Sequence, residues 1–379
     1  MTRDFEVIVI GAGIVGASIA YYLSKLGSKV LVLEKEEVAA GASGGNMGQI
    51  SIADREVGTE LSWALASLKL YKEYEQKGEL QTDIARTGGL FLFYEDEELA
   101  GAEASISEHI KLGLDIRVLR GKEILQQQPL LNLDTLKGAI YTADEGSLNP
   151  LTVTFGLMER AIAYGAELIK GAEVREFVLK EGRITGVKST VGEFTANQVV
   201  VATGAWTREL MSKLGLDYKI FYNRASVMIT QAVPSCISGP IETGGFVTGD
   251  LKTEKWTLLS VMQHKNGTIG IGQDTSTSAN YNKDLTYEGV VDMAKLFVEH
   301  FPTLADIEIL RIWSAVTPYV EDHKPLFGYS GRYPNLFLAA GLKGAFTIAP
   351  EAGKTAASIL LTGTSSYDCS AYSPSRFEY

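Results

Sequence analysis

The stretch that decides the fold is VIVIGAGIVG, residues 7–16. Residues 7–10 form a continuous apolar, β-branched run, which predicts a strand buried on both faces of a parallel sheet. A glycine-rich turn follows, and helical periodicity then extends over residues 14–26. A second apolar run at residues 29–33 predicts another strand. Strand, glycine-rich turn, helix and strand in this order are typical of a dinucleotide-binding unit.

Each glycine of the turn has a physical role in such a unit. Gly11 permits the tight turn, Gly13 lets the backbone approach a pyrophosphate, and Gly16 allows the helix to pack closely on the strand. The pyrophosphate is expected at the helix N-terminus, beside Ile14 and Val15, where free amides and the helix dipole favour an anion.

An acidic residue ends the second strand. Glu34 lies 18 residues after Gly16, where its carboxylate can accept hydrogen bonds from both ribose hydroxyls. The same charge repels a 2'-phosphate, so NADP is disfavoured. Lys35 follows directly and is predicted to contact the cofactor as well. These features do not separate FAD from NAD, because both contain adenosine diphosphate.

Three later segments favour FAD. The first is rich in small residues and follows the ribose-binding strand, where a flavin nucleotide needs space beside its phosphates and ring. Its predicted contacts are Ala42, Ser43, Gly44, Asn46 and Met47. The second is a strand that ends in a Thr-Gly-Ala-Trp turn, whose predicted contacts are Thr203, Gly204 and Trp206, joined by Val174 upstream.

The third segment follows the apolar strand at residues 335–340. Its backbone amides could face the pyrimidine end of an isoalloxazine ring and stabilise the reduced, anionic flavin. The predicted contacts are Gly341, Leu342, Lys343, Gly344, Ala345, Phe346 and Thr347.

These motifs together resemble those of the D-amino acid oxidase superfamily of flavoenzymes. That group includes glycine oxidase, sarcosine oxidases, D-amino acid dehydrogenases and the catalytic subunits of proline and opine dehydrogenases. The resemblance covers essentially the whole chain and extends through residues 311–318, 322–325 and 373–377. Some sarcosine oxidases tether the flavin through a cysteine near the position of Trp313, where this chain has none, so noncovalent FAD is expected.

The resemblance implies an α/β fold with two domains. A Rossmann-like FAD-binding domain is expected from the discontinuous segments 1–80, 145–218 and 325–379. An α+β substrate domain with a mixed or antiparallel sheet is expected from segments 81–144 and 219–324, and it would cover the flavin.

The activity implied is oxidation of the C–N bond of an amino acid or secondary amine. Hydride passes to flavin N5 and the imine hydrolyses, so the cofactor carries the chemistry. Residues 44–51 look most like catalytic subunits of multicomponent dehydrogenases, whose partners carry iron-sulfur clusters or a second flavin. A free-standing oxidase is the close rival. Oxidation of a 2-hydroxy acid or similar C–O bond stays open as a second activity, and a noncatalytic FAD-bearing subunit as a third role.

Substrate recognition is where the chain departs from the family pattern. Several relatives bind the substrate carboxylate with an arginine in the segment where this chain has Thr317. The predicted catalytic residues are Lys343, Tyr319 and Arg224, and Arg86 and Tyr222 are further candidates for the carboxylate. Lys343 is preferred because its loop should border the flavin. His264 and His323 are interpreted as structural or surface residues.

Composition limits the kinds of partner, metal site and cellular location that remain to be considered. A net charge of −11 argues against a nucleic-acid partner. Cys236 and Cys369 are too few for a zinc site, an iron-sulfur cluster or a disulfide framework, so no metal and a cytoplasmic, reducing location are expected. Three glycines and the preceding acidic residues disqualify the apolar stretch at residues 7–23 as a signal peptide, and no stretch predicts a transmembrane segment.

Overall fold

A computed structural model describes residues 4–245 and 255–378 of the chain. The strands are β1 Asp4–Ile10, β2 Val30–Leu33, β3 Gln49–Ile50, β4 Ala85–Arg86, β5 Gly89–Phe93, β6 Ile116–Leu119, β7 Gly138–Thr142, β8 Gly146–Ser147, β9 Glu167–Ile169, β10 Val174–Lys180, β11 Arg183–Ser189, β12 Gly192–Val201, β13 Ile220–Thr230, β14 Ile241–Thr243, β15 Lys255–Gln263, β16 Ile269–Ser278, β17 Ile309–Val320, β18 Leu326–Tyr329 and β19 Leu336–Ala340. The α-helices are α1 Ile14–Lys25, α2 Thr59–Gln76, α3 Asp96–Ser105, α4 Ser107–Lys111, α5 Lys122–Gln127, α6 Pro150–Ala163, α7 Thr207–Ser212, α8 Tyr287–His300 and α9 Ala345–Thr362.

The first sheet is built from distant parts of the chain. Its order is β10-β11-β12-β1-β2-β9, and β19 pairs with β12 and with β18. β1 runs parallel to both β2 and β12, and β12 runs parallel to β19. The three strands that precede the glycine turns therefore end at one edge of one sheet, as predicted.

Both faces of this sheet are covered. One face packs in a hydrophobic cluster with α1, α2, α6 and α9. The other face forms a second cluster with α7, and apolar side chains from β10 and β11 of the same sheet contribute to that cluster. All four residues of β2 are buried, which explains why its sequence is continuously apolar rather than alternating.

The second sheet has the order β17-β13-β16-β15-β14-β5-β7-β6 and is antiparallel except for the β14–β5 pair. Helix α8 packs against β15 and β16. A small third sheet, β3-β8-β4, lies outside these two. The predicted fold class, a Rossmann-like sheet with a second domain built on a mixed sheet, is confirmed; the domain boundaries stay a prediction.

Candidate functional site

The glycine-rich turn after β1 has no room for a side chain at Gly11 or at Gly16. Gly11 has φ +104°, and a Cβ added there would lie 2.5 Å from the carbonyl oxygen of Ala202. A Cβ on Gly16 would lie 2.0 Å from the carbonyl oxygen of Gly11, so the helix sits directly on the turn. Gly11 and Gly13 line a cleft, whereas Gly16 lies beneath its surface.

Helix α1 starts at this cleft. Its N-cap is Gly13, which has no side chain with which to cap the helix. The backbone N–H of Ile14 donates to the hydroxyl of Ser43 across 3.0 Å. Ile14 and Val15 also line the cleft. The helix N-terminus therefore presents positive partial charge to the cleft, which suits a pyrophosphate.

Glu34 connects the end of β2 to the turn. One carboxylate oxygen accepts from the N–H of Ala12 at 2.8 Å and the other from the N–H of Glu36 at 2.9 Å. The Lys35 ammonium lies 3.8 Å from the ring centroid of Trp206, and all three predicted contacts, Glu34, Lys35 and Trp206, line the cleft.

The loop of small residues runs from the cleft to the second sheet. Ala42, Ser43 and Asn46 line the cleft. Gly44 packs away from it, where a Cβ would lie 2.4 Å from the carbonyl oxygen of Ala39. The indole N–H of Trp313 donates to the carbonyl of Gly45 at 3.0 Å, which joins the loop to β17.

Two predicted contacts lie behind the loop rather than on the cleft lining. The Met47 thioether packs on β16, since its sulfur lies 2.9 Å from the position that a Cβ on Gly270 would take. Thr347 is buried, and its hydroxyl accepts from the N–H of Ser51 at 3.2 Å. Cofactor contacts for these two residues stay predictions.

The loop after β19 forms the opposite end of the cleft. Gly341, Leu342, Lys343, Gly344, Ala345 and Phe346 all line it, as do Val174, Thr203 and Gly204. Gly344 is the N-cap of α9, has φ +54°, and makes no side-chain cap hydrogen bond in the described structure. The N-terminus of α9, a helix of 18 residues, thus faces the same cleft as the N-terminus of α1.

The empty space between the residues that line the cleft is about 1560 Å³, and this figure includes space open to solvent. It extends from Glu34 and Trp206 at one end to the Gly341 loop at the other. Sequence reasoning missed five charged lining residues, which are Glu36, Glu173, Arg175, Glu209 and Lys213. Arg175 directly follows the predicted Val174, and Glu209 and Lys213 follow the Gly204 turn, so proximity to recognised contacts was the available signal.

Two of the three predicted catalytic residues line the cleft. Tyr319 lies on β17 beside Thr317, which also lines it and donates from its hydroxyl to the carbonyl of Asn223 at 3.3 Å. The Lys343 side chain is 39% exposed, and its ammonium lies 3.6 Å from an Asp54 carboxylate oxygen. Lys343 is thus a partly accessible cation at the Gly341 end of the cleft.

The structure separates Arg224 from the other two predicted catalytic residues, and its catalytic role stays a prediction. In the β13–β17 register Asn223 opposes Thr317, so Arg224, the next residue on β13, points to the opposite face of the sheet. Its guanidinium is buried and pairs with Asp274 at 2.7 Å, and it also donates to the hydroxyls of Ser226 and Ser276. Arg224 therefore joins β13 to β16, away from the cleft.

The remaining carboxylate candidates also lie off the cleft lining. Arg86 is exposed and pairs with Asp144. Tyr222 contacts the ring of Tyr281, with 6.0 Å between centroids. His264 is mostly buried, and burial lowers its pKa.

Several buried carboxyl groups lie near Asp54, the counter-ion of Lys343. The pKa of Glu145 is raised to about 8 and that of Glu242 to about 7, in both cases chiefly by burial and in part by the nearby Asp54 charge. The pKa of Asp54 itself is lowered: burial would raise it, but the charges of Arg55 and Lys343 outweigh burial. Sequence reasoning gave no role to any of these carboxyl groups or to Arg55.

The site fits FAD. Two helix N-termini with glycine N-caps, a carboxylate at the end of β2 and close backbone approach at Gly11 and Gly13 supply what a dinucleotide requires. The cleft continues from these residues to the Gly341 loop, which leaves space for a flavin ring. Within the described ranges no group of three His, Cys, Asp or Glu side chains could hold a metal ion.

Comparison with known proteins identifies the family. The family model described as "DAO: FAD dependent oxidoreductase" matches residues 6–359, so the chain belongs to this family. The crystal structure of L-proline dehydrogenase from P. horikoshii superposes with a TM-score of 0.90 and 27% identity, covering 100% of this chain and 99% of that one. Glycine oxidase from Bacillus licheniformis is 28% identical, with 95% of this chain and 94% of the relative covered.

Some relatives are longer. The mitochondrial pyruvate dehydrogenase phosphatase regulatory subunit of Mus musculus is 25% identical over 94% of this chain, but the chain spans only 41% of its length. The protein is an FAD-dependent oxidoreductase, and FAD is its cofactor. Over the residues that the structure describes, no helix has the length and apolar character needed to cross a bilayer.

Proposed function

We propose that the protein oxidises the C–N bond of an amino acid or secondary amine, of the proline, hydroxyproline, opine, sarcosine or glycine type. The observation that carries the proposal is Lys343, a partly exposed cation at the Gly341 end of the cleft. A cation there suits the carboxylate of an amino acid. Whole-length similarity to an L-proline dehydrogenase structure and to glycine oxidase supports the same substrate class.

When bound, FAD would supply a hydride acceptor for the carbon beside the nitrogen, and the imine formed from the donor would hydrolyse in water. The chain binds and orients the donor. The Lys343 ammonium attracts the carboxylate, and the Tyr319 hydroxyl, on the cleft wall formed by β17, offers a hydrogen bond. Neither role requires a nucleophile or an essential general base from the protein.

Carboxylate binding by Lys343 also accounts for the missing arginine. Thr317 lines the cleft where several relatives have an arginine, and its hydroxyl donates to a backbone carbonyl instead of offering a charge. A lysine is a point charge on a flexible stem, so it binds a carboxylate with less directional constraint than a guanidinium. We therefore expect tolerance of donors whose carboxylates differ in orientation.

The flavin is held without a covalent bond in this proposal. Cys236 and Cys369 are both free thiols, and neither lines the cleft. Two unpaired cysteines also suit a reducing compartment, so we propose a cytoplasmic location. Electrons pass either to oxygen or to a partner subunit that carries an iron-sulfur cluster or a second flavin.

A noncatalytic role has one specific observation in its favour, since a relative is named as a phosphatase regulatory subunit. The decisive test is anaerobic incubation of the FAD-loaded protein with two panels of donors, amines with amino acids and 2-hydroxy acids. We expect bleaching of the flavin by a member of the first panel. Bleaching by hydroxy acids alone would overturn the amine assignment, and no bleaching by any donor would favour the noncatalytic role.

The rate of reoxidation after air is admitted then separates the two electron acceptors. Rapid return of the oxidised flavin spectrum indicates an oxidase. Slow return, with rapid return on addition of an artificial dye acceptor, indicates a dehydrogenase that passes electrons to a protein partner.

A further inference from the structure

A buried turn at residues 51–55, here called the Asp54 turn, lies behind the Gly341 loop. The N–H of Ser51 donates to the Thr347 hydroxyl at 3.2 Å. The N–H groups of Ile52 and Ala53 both donate to one carboxyl oxygen of Glu145, at 2.7 and 3.0 Å. Partners in α9 and in the segment before β8 therefore fix the backbone of this turn.

The turn carries an arginine that supports the cleft loop. Arg55 is buried, and its guanidinium donates to the carbonyl of Lys343 at 2.8 Å and to the carbonyl of Ser51 at 3.1 Å. A Cβ on Gly344 would lie 2.2 Å from the guanidinium. A glycine at position 344 thus permits both the left-handed backbone and the close approach of Arg55.

The same turn carries the counter-ion of Lys343. The Asp54 side chain is only 6% exposed, and one of its oxygens lies 3.6 Å from the Lys343 ammonium. The second oxygen lies 3.1 Å from Nε of Arg55 and has no hydrogen-bond partner among the described residues. Asp54 therefore contacts both the exposed cation and the buried one.

We propose that Asp54 is a positioning residue that directs the Lys343 ammonium toward the donor, while Arg55 fixes the backbone of the loop on which Lys343 lies. The proposal rests on the function proposed above, in which Lys343 binds the donor carboxylate. A flexible lysine without a fixed counter-ion samples many rotamers, and holding it in one direction removes the entropy cost of ordering it when the donor binds.

The test is a double-mutant cycle on the FAD-loaded protein with acetate as the carboxylate probe and acetamide as its uncharged analogue. Binding is followed by the change in the visible flavin spectrum. We expect Asp54→Asn to weaken acetate binding up to about tenfold, which is the order of the cost of ordering one flexible side chain on binding. In a Lys343→Met background the same substitution should have no further effect. A merely structural role would give additive losses instead.

Two further variants complete the design. Asp54→Glu retains the charge, so its acetate affinity should lie closer to wild type than to Asp54→Asn. If the asparagine variant loses FAD, Asp54→Glu replaces it in the cycle. Glu56→Gln removes an exposed carboxylate from the adjoining segment and should leave acetate affinity unchanged.

Several results would overturn the positioning role. Tighter acetate binding by Asp54→Asn would show that Asp54 only competes for Lys343, and no acetate binding by wild type would remove Lys343 as an anion site. If acetate shows the coupling but no amine bleaches the flavin, the proposed substrate class fails and the positioning role stands. If amines bleach the flavin but the cycle is additive, the positioning role fails alone.

Discussion

The carboxylate of Glu34 accepts a hydrogen bond from the backbone N–H of Ala12, with 2.8 Å between the two heavy atoms. This bond joins the end of the second strand to the glycine-rich turn after the first. Glu34 also lines the cleft, so we expect its carboxylate to accept hydrogen bonds from the ribose hydroxyls of FAD as well. One residue would then both shape the turn and bind the nucleotide.

Replacing Glu34 should therefore weaken FAD binding. Glu34→Ala removes a charged acceptor from the ribose, which corresponds to about 1.5–3 kcal/mol or roughly a tenfold to hundredfold loss of affinity. Titration of the apoprotein with FAD, followed by flavin fluorescence, measures the change. The matched control is Glu37→Ala, which removes an exposed carboxylate paired with Lys170. Equal affinities of the two variants would refute the role of Glu34.

Gly11 and Gly27 form a matched pair, because both have positive φ, at +104° and +91°. A Cβ at Gly27 meets nothing within 4 Å, whereas one at Gly11 collides with Ala202. Gly27→Ala should lower the free energy of unfolding by only about 1 kcal/mol, the cost of the strained backbone. Gly11→Ala should lower the free energy of unfolding considerably more, and the variant protein should not retain FAD. Thermal unfolding and flavin content after purification check both outcomes, and an FAD-replete Gly11→Ala protein would contradict the account.

The buried pair of Arg224 and Asp274 should matter for stability rather than for the donor. Arg224→Met leaves Asp274 buried and unpaired, which typically costs about 3–5 kcal/mol of unfolding free energy. Arg86→Met breaks an exposed pair with Asp144 and should cost about 0–1 kcal/mol. Denaturant unfolding measures both. If Arg224→Met instead kept its stability and raised KM for the donor, Arg224 would have to be assigned to substrate binding after all.

Glu145 should make stability depend on pH. Burial raises its pKa from 4.5 to about 8, so the folded protein keeps a proton that the unfolded chain releases. Stability from this group is complete below about pH 4.5 and is lost as the pH rises through about 8. Glu145→Gln retains an acceptor for the two backbone amides but cannot ionise. Between these pH values the variant should lose less stability than wild type, as measured by thermal unfolding at each pH. If stability fell equally with pH in both proteins, Glu145 would not be the group responsible.

The parts of the site that could be predicted from sequence are those in which position along the chain fixes position in space. Gly11 and Glu34 belong to one strand-turn-helix-strand unit, so their spacing was informative. The loops around Gly204 and Gly341 follow strands that are parallel to β1 or to its neighbour, and parallel strands bring their ends to one edge. The predictions of the fold class and of FAD rest on this local regularity, and both are confirmed.

Arg224 lies away from the cleft because side chains alternate along a strand. The face on which it lies depends on the register between β13 and β17, which the sequence does not encode locally. Asp54 and Arg55 were missed for a related reason, since Arg55 meets Lys343 across 288 positions of sequence. Contacts of this kind follow from the completed fold rather than from any motif.

The central claim, oxidation of a C–N bond, is tested most directly by one anaerobic single-turnover measurement. The FAD-loaded protein is mixed with amines and amino acids of the proposed types, each with and without deuterium on the carbon beside the nitrogen, and the product is trapped as a carbonyl derivative. The account predicts slower bleaching of the deuterated donor and carbonyl product in proportion to the reduced flavin. Fully oxidised flavin with the amine recovered unchanged, beside bleaching by a 2-hydroxy acid, would contradict it.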